Sequence, residues 1–223
     1  VRSTWFVHGS AVAAAVLLGV SGPLLMTAQA WPVQAAHLVL SAGWSWAALA
    51  FGLGTRARSL AGSAALGTYA LVIAVFAYYL VKAAQGQFET MDMSDPAGPA
   101  AATYFSWHGF LSATLLWSLY ACLLGPLLGM AGYAARRGPC RTPYLWVVPA
   151  VAVAETTLRL GAEAAWADPV VVATWTTVRV LAVLALAAAT ARPFVLRLRR
   201  RPAAARDHRD TPARPTPPTP EDR

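Results

Sequence analysis

Six long apolar runs, joined by connections that alternate between basic and neutral or acidic, leave this chain few ways to fold. The runs cover about Thr4–Thr27, Val33–Gly54, Leu60–Ala83, Ala101–Ala134, Tyr144–Trp166 and Pro169–Ala191. Each reaches the roughly 20 apolar residues that a helix needs to cross the hydrocarbon of a bilayer. None alternates polar with apolar residues, as the strands of a closed membrane barrel must. Composition agrees: 57% of the 223 residues are hydrophobic and 13% are charged, against about 25% charged in a soluble domain. The expected fold class is all-α: an integral membrane bundle of six transmembrane helices over residues 1–201. A Pro/Arg-rich tail, 202–223, cannot bury a core and is expected to be disordered in the cytoplasm.

Arginine sets the orientation, because basic loops stay on the cytoplasmic side. Arg2 precedes the first run, Arg56 and Arg58 join the second to the third, and Arg136, Arg137 and Arg141 join the fourth to the fifth. Arg192, Arg197, Arg199, Arg200 and Arg201 follow the sixth. The other connections are neutral or acidic: Gln29–Pro32, then Glu89, Asp92 and Asp95, then Asp168. Both termini are therefore expected in the cytoplasm of a multi-pass cell-membrane protein. Aromatic residues fall near the same boundaries, with Trp31, Tyr78, Tyr79, Tyr104 and Trp166 outside and Trp5, Tyr133, Tyr144 and Phe194 inside. Arg2 and Ala28-Gln29-Ala30 bracket the first run like a signal peptide, but that run exceeds the ~7–15 residues of a secretory apolar core. An uncleaved helix is the expectation.

The net charge of +8 does not point to nucleic acid. The positive residues cap apolar runs and crowd the last thirty positions, where they face lipid headgroups or act as topology signals. Cys122 and Cys140 are too few for a disulfide framework or a zinc site. His37 and His108, in the second and fourth runs, would allow haem ligation across two helices. No second histidine pair and no helical Glu-x-x-His pattern accompanies them, so neither haem, metal nor another cofactor is expected. Glu89, Asp92 and Asp95 read as a solvated outer loop. Gly125, Gly129 and Gly132 place small residues on one face of the fourth run, a close-packing device.

Buried charge marks the candidate site. Glu155, Arg159 and Glu163 are spaced four apart and stack on one face of the fifth run. Arg179 is the one charge between Asp168 and Arg192 in the sixth. Counted back from the outer turn at about 1.5 Å per residue, Glu155 and Arg179 both lie roughly 15 Å deep, near the bilayer midplane and within reach of each other. Charges at that depth are costly, face the bundle interior and mark either function or a register-fixing network. Trp46 and Trp175 are the expected apolar walls of such a site. His8-Gly9 with Gly22-Pro23-Leu24-Leu25 echoes His108-Gly109 with Gly125-Pro126-Leu127-Leu128, as inverted repeats do. The inner spacing differs by three residues, and the second and fifth runs share nothing, so the echo carries no argument.

Ser41-Ala42-Gly43-Trp44-Ser45-Trp46, Ala50-Phe51-Gly52-Leu53-Gly54, Tyr78-Tyr79, Gly125-Pro126-Leu127-Leu128-Gly129 before Arg136-Arg137, and Glu155 form a further pattern. Over about Trp31–Leu160 the chain resembles a group of small actinobacterial membrane proteins defined as domain of unknown function 6518. That resemblance implies a multi-helix membrane fold and no assigned activity. Three readings follow for function. One is small-molecule or ion handling through the Glu/Arg site. The second is a membrane-embedded enzyme acting on an isoprenoid or lipid. The third is a structural or accessory subunit. Arginine neighbours oppose the raised pKa that an acid role for Glu155 would need, and no nucleophile, phosphate-loop or metal motif favours catalysis. The expected partners are the lipid bilayer and a hydrophobic small molecule. The short length also favours a homo-oligomer or another membrane protein as partner.

Overall fold

A computed structural model of the chain describes residues 2–27, 30–91, 103–139, 141–163 and 166–207, with the side chains of 2–7, 163 and 193–207 left aside. Asp92, Asp95 and Cys140 thus lie outside the described residues, as does the side chain of Glu163. The fold is all-α apart from one short hairpin. Its elements are α1 (Arg2–Leu25), α2 (Trp31–Ser41), α3 (Gly43–Gly54), α4 (Leu60–Ala84), β1 (Glu89–Met91), β2 (Thr103–Phe105), α5 (Trp107–Arg137), α6 (Thr142–Leu145), α7 (Val147–Glu163) and α8 (Pro169–Asp207). Five helical stretches are long and apolar enough to cross a membrane, and six if the bent pair α2–α3 counts as one span.

Glycine and alanine build the centre. α4 packs against α5 and α1, and α3 against both α4 and α5. A methyl group on Gly129 would collide with the Ser63 carbonyl, one on Gly132 with the Phe51 carbonyl, and one on Gly54 with Gly129 itself. At Gly125 it would come within 2.6 Å of the Thr68 Cα. The small residues expected to pack closely thus bring α5 onto the backbones of both α3 and α4. Ala11, Ala15, Leu53, Leu66, Ala70 and Ala74 form the adjoining core on the α1 side.

The connections sort to opposite ends. At one end the Arg136 guanidinium donates to the Thr55 carbonyl (3.0 Å) and Arg137 to the Arg58 carbonyl (3.0 Å), so the two basic connections meet. At the other end Gln85 Nε2 donates to the Pro23 carbonyl (3.0 Å), tying the end of α4 to the end of α1. Here Glu89–Met91 pairs antiparallel with Thr103–Phe105. Ser106 then caps α5, its hydroxyl accepting from Gly109 N–H at 3.2 Å. The fourth helix therefore starts at Trp107 instead of Ala101, because β2 and the Ser106 cap take up residues 103–106. It runs unbroken through Pro126. α8 continues past Pro202 to Asp207, and residues 208–223 lie outside the description.

The second apolar run departs most from expectation. It is two helices meeting at an angle of 59°, with Ala42 extended between them (φ −73°, ψ 143°). No proline causes the break. Its exposed backbone groups are instead satisfied from both sides. The carbonyls of Val39 and Leu40 accept from the Ser45 hydroxyl and from Trp46 Nε1 (3.2 Å for the latter). The N–H groups of Gly43 and Trp44, freed at the start of α3, donate to Glu155 on α7.

Candidate functional site

Glu155 sits where the broken helix exposes its donors. Its Oε1 accepts from Gly43 N–H at 3.1 Å and its Oε2 from Trp44 N–H at 2.9 Å. A carboxylate at this point offsets the partial positive charge of a helix N-terminus and fills two orphan donors at once. Glycine at position 43 suits the approach, since a Cβ there would come within 3.2 Å of Glu155 Oε2. Arg159, one turn further along α7, donates through Nε to Glu155 Oε1 at 3.1 Å. The two side chains remain 18% (Glu155) and 37% (Arg159) exposed, so the pair opens onto free space and its Coulomb energy is partly screened.

That space is a cavity of about 590 Å³ bounded by α3, α4, α5, α7 and the last residue of α2, Ser41. Trp46, Tyr78, Tyr79, Trp117 and Tyr120 supply aromatic walls, and Lys82, Glu155 and Arg159 the charges. Trp46 and Tyr78 meet edge to face with ring centres 5.9 Å apart. The Lys82 ammonium lies 5.2 Å from the centre of the Tyr78 ring, within cation–π range. A mostly apolar concavity with a few convergent polar groups has the general form of a small-molecule site.

The sequence-selected residues divide accordingly. Glu155, Arg159 and Trp46 come together at the cavity. Trp175 does not line it: the ring is fully buried on α8, with the Arg159 guanidinium 4.9 Å from its centre. It backs the arginine instead of walling the ligand space. Arg179 is half-buried one turn below Trp175. It is not among the partners of Glu155, whose two oxygens accept from Gly43 N–H, Trp44 N–H and Arg159. His37 Nδ1 lies 2.7 Å from the Gly22 carbonyl, and His108 is exposed on the first turn of α5.

Lys82, Tyr78, Tyr79, Trp117 and Tyr120 are the residues that sequence reasoning missed as a site. Two signals were present. Tyr78 and Lys82 are four apart on one face, and Trp117, Tyr120 and Leu124 recur at spacings of three and four, the interval at which helical side chains share a face.

No protein-family model matches the chain, and no curated protein or solved structure matches it significantly.

Proposed function

We propose that the chain is a six-span protein of the cell membrane, both ends cytoplasmic, that holds or passes a small amphipathic molecule in the cavity beside Glu155 and Arg159. The single observation carrying this reading is the juxtaposition of the cavity with a helix broken mid-run, whose exposed donors face Glu155. In transport proteins such discontinuous helices supply polar backbone for binding at mid-membrane depth. The sixth span is the bent pair α2–α3, and the basic residues after α3 support a crossing over a re-entrant loop. The bilayer is the partner of the exposed apolar faces, and the protein partner in this reading is a second copy or another membrane protein. The resemblance to domain of unknown function 6518 belongs to this proposal and adds no activity.

Native mass spectrometry of the detergent-purified chain tests the ligand. A stoichiometric hydrophobic molecule is expected with the wild type and is expected to be lost in Leu124→Trp, which narrows the cavity without touching Glu155. An empty, intact protein in both cases would sink the reading. Topology is tested with single cysteines replacing Trp31 and Arg56 in a background lacking Cys122 and Cys140. They should label from opposite faces, and labelling from one face would make α2–α3 re-entrant.

A second reading has its own support. The cap that Glu155 places on α3 is a structural task in itself, as a purely accessory subunit would need. Ligand-free protein with an intact fold would bring that reading forward.

A further inference from the structure

The cavity is graded along its length on four of the helices that line it. On α4 the lining passes from Leu71 and Val75 to Tyr78, Tyr79 and Lys82, and on α7 from Val151 through Glu155 to Arg159. On α5 it passes from Leu128 and Leu124 to Tyr120 and Trp117, and on α3 from Ala47 to Trp46 and Gly43. The aliphatic end points toward the joined basic connections, the charged end toward the hairpin. Leu71 and Lys82 are eleven residues apart, which places these ends about 16 Å apart along α4. So graded a cavity fits a molecule with a chain at one end and a headgroup at the other.

Charge decides which headgroup. Among the described residues, two cations, Lys82 and Arg159, and one carboxylate line the cavity. Both oxygens of that carboxylate already accept bonds, one from Gly43 N–H and Arg159, the other from Trp44 N–H. Among the described residues Lys82 has no acidic partner; only the Tyr78 ring lies against it. The charged end therefore offers ammonium donors, those of Lys82, that no described carboxylate engages. A cationic headgroup would be repelled there, and a neutral one would leave the ammonium without an anionic acceptor.

We propose that the cavity takes an amphiphile with an acidic headgroup, a carboxylate or phosphate held between Lys82 and Arg159, with its chain along Leu124, Leu128 and Leu71. This rests on the small-molecule reading above. It narrows that reading to anionic amphiphiles, and its test separates the two.

The full-length chain in neutral detergent is titrated with a nitroxide-labelled stearic acid and, in parallel, with the methyl ester of the same acid. Quenching of tryptophan fluorescence is the readout, since Trp46 and Trp117 line the cavity. The acid is expected to bind about tenfold more tightly than the ester, the scale of a hydrogen bond to a charged group. Lys82→Gln is expected to erase that preference while leaving ester binding in place, and Lys82→Arg to retain it. Arg136→Gln, at the opposite end, should change nothing. Equal binding of acid and ester to the wild type would overturn the acidic headgroup but leave the small-molecule reading standing. Saturable binding of neither probe would remove both. An undiminished preference in Lys82→Gln, or an equal loss in Arg136→Gln, would mean diffuse attraction to a basic protein and overturn the site. Displacement of the acid by millimolar inorganic phosphate alone would make the ligand a soluble anion, and would also overturn it. Should Lys82→Gln fail to fold, the acid–ester comparison on the wild type still decides.

Discussion

The seam between α4 and α5 and the seam between α3 and α7 solve the same problem by opposite means. In the first, glycines remove side chains until backbones touch, and 39% of the α4 span is buried. In the second, a carboxylate reaches across to a broken backbone, and only 11% of the span that includes α7 is buried. Lipid offers helices no hydrophobic reason to associate, so close packing and polar contacts are the available glues. The chain separates them: packing holds α1, α3, α4 and α5 together, while the bonds from Gly43 and Trp44 to Glu155 tie α7, which packs on α8, to that core. The cavity lies along the polar seam, where an imperfect fit costs least.

If the seams differ in this way, the largest effect should come from the glycines. Gly129→Val forces a branched side chain into the Ser63 carbonyl. It should destabilise the protein by about 3 kcal/mol, the upper part of the range for overpacking, since backbone cannot yield as a side chain can. Loss of folded yield and a lowered unfolding temperature in detergent would report it, and a neutral result would break the packed half of the comparison.

Glu155→Ala should come next. It leaves two backbone donors at the start of α3 without acceptors, a cost of about 2 kcal/mol. Amide exchange at Gly43 and Trp44 should accelerate while that at Ser63 stays protected. Uniform acceleration would mean that the two seams unfold as one. Glu155→Gln keeps one carbonyl acceptor and should lose less.

Smallest is Arg159→Gln. It gives up one charge-assisted bond and the stacking over Trp175, together about 1 kcal/mol at a partly exposed position. A shift in the tryptophan emission of Trp175, absent in a Trp175→Phe background, is the measurement. An unchanged spectrum would mean that the arginine does not rest on that ring in solution.

What could be read from the sequence follows from how local each cause is. The apolar run predicts a helix over Leu60–Ala83 and α4 spans Leu60–Ala84, because the hydropathy that specifies it is contained in the segment. The glycine face of α5 was legible for the same reason, since its spacing alone puts Gly125, Gly129 and Gly132 on one side. Glu155 and Arg159 were correctly joined, four apart on one helix. The partner of Glu155 was not legible, because hydropathy across Ser41-Ala42-Gly43 is uninterrupted and the group that completes the break lies 112 residues downstream of Gly43. Arg179 matches Glu155 in depth and charge along the sequence, and nothing in that match announces the backbone donors that Glu155 meets instead. Trp175 is expected as a wall of the same site and does meet Arg159, but from behind the cavity, since which face of α8 meets α7 depends on packing with other segments.

The distance along the chain between Gly43 and Glu155 also bears on how the protein is assembled. α2 and α3 leave the ribosome long before α7 exists, and bare N–H groups in hydrocarbon carry a cost of several kcal/mol each. An uninterrupted rod over residues 33–54 has no such debt, so if the pair α2–α3 is a span as proposed, it should insert straight and bend only when Glu155 arrives. A chain ending at Arg141 ought then to show the longer separation between spin labels at His37 and Leu49, and the complete chain the shorter one. The joint at Ala42 would thus be a late event in biogenesis, set by the fifth apolar run entering the bilayer.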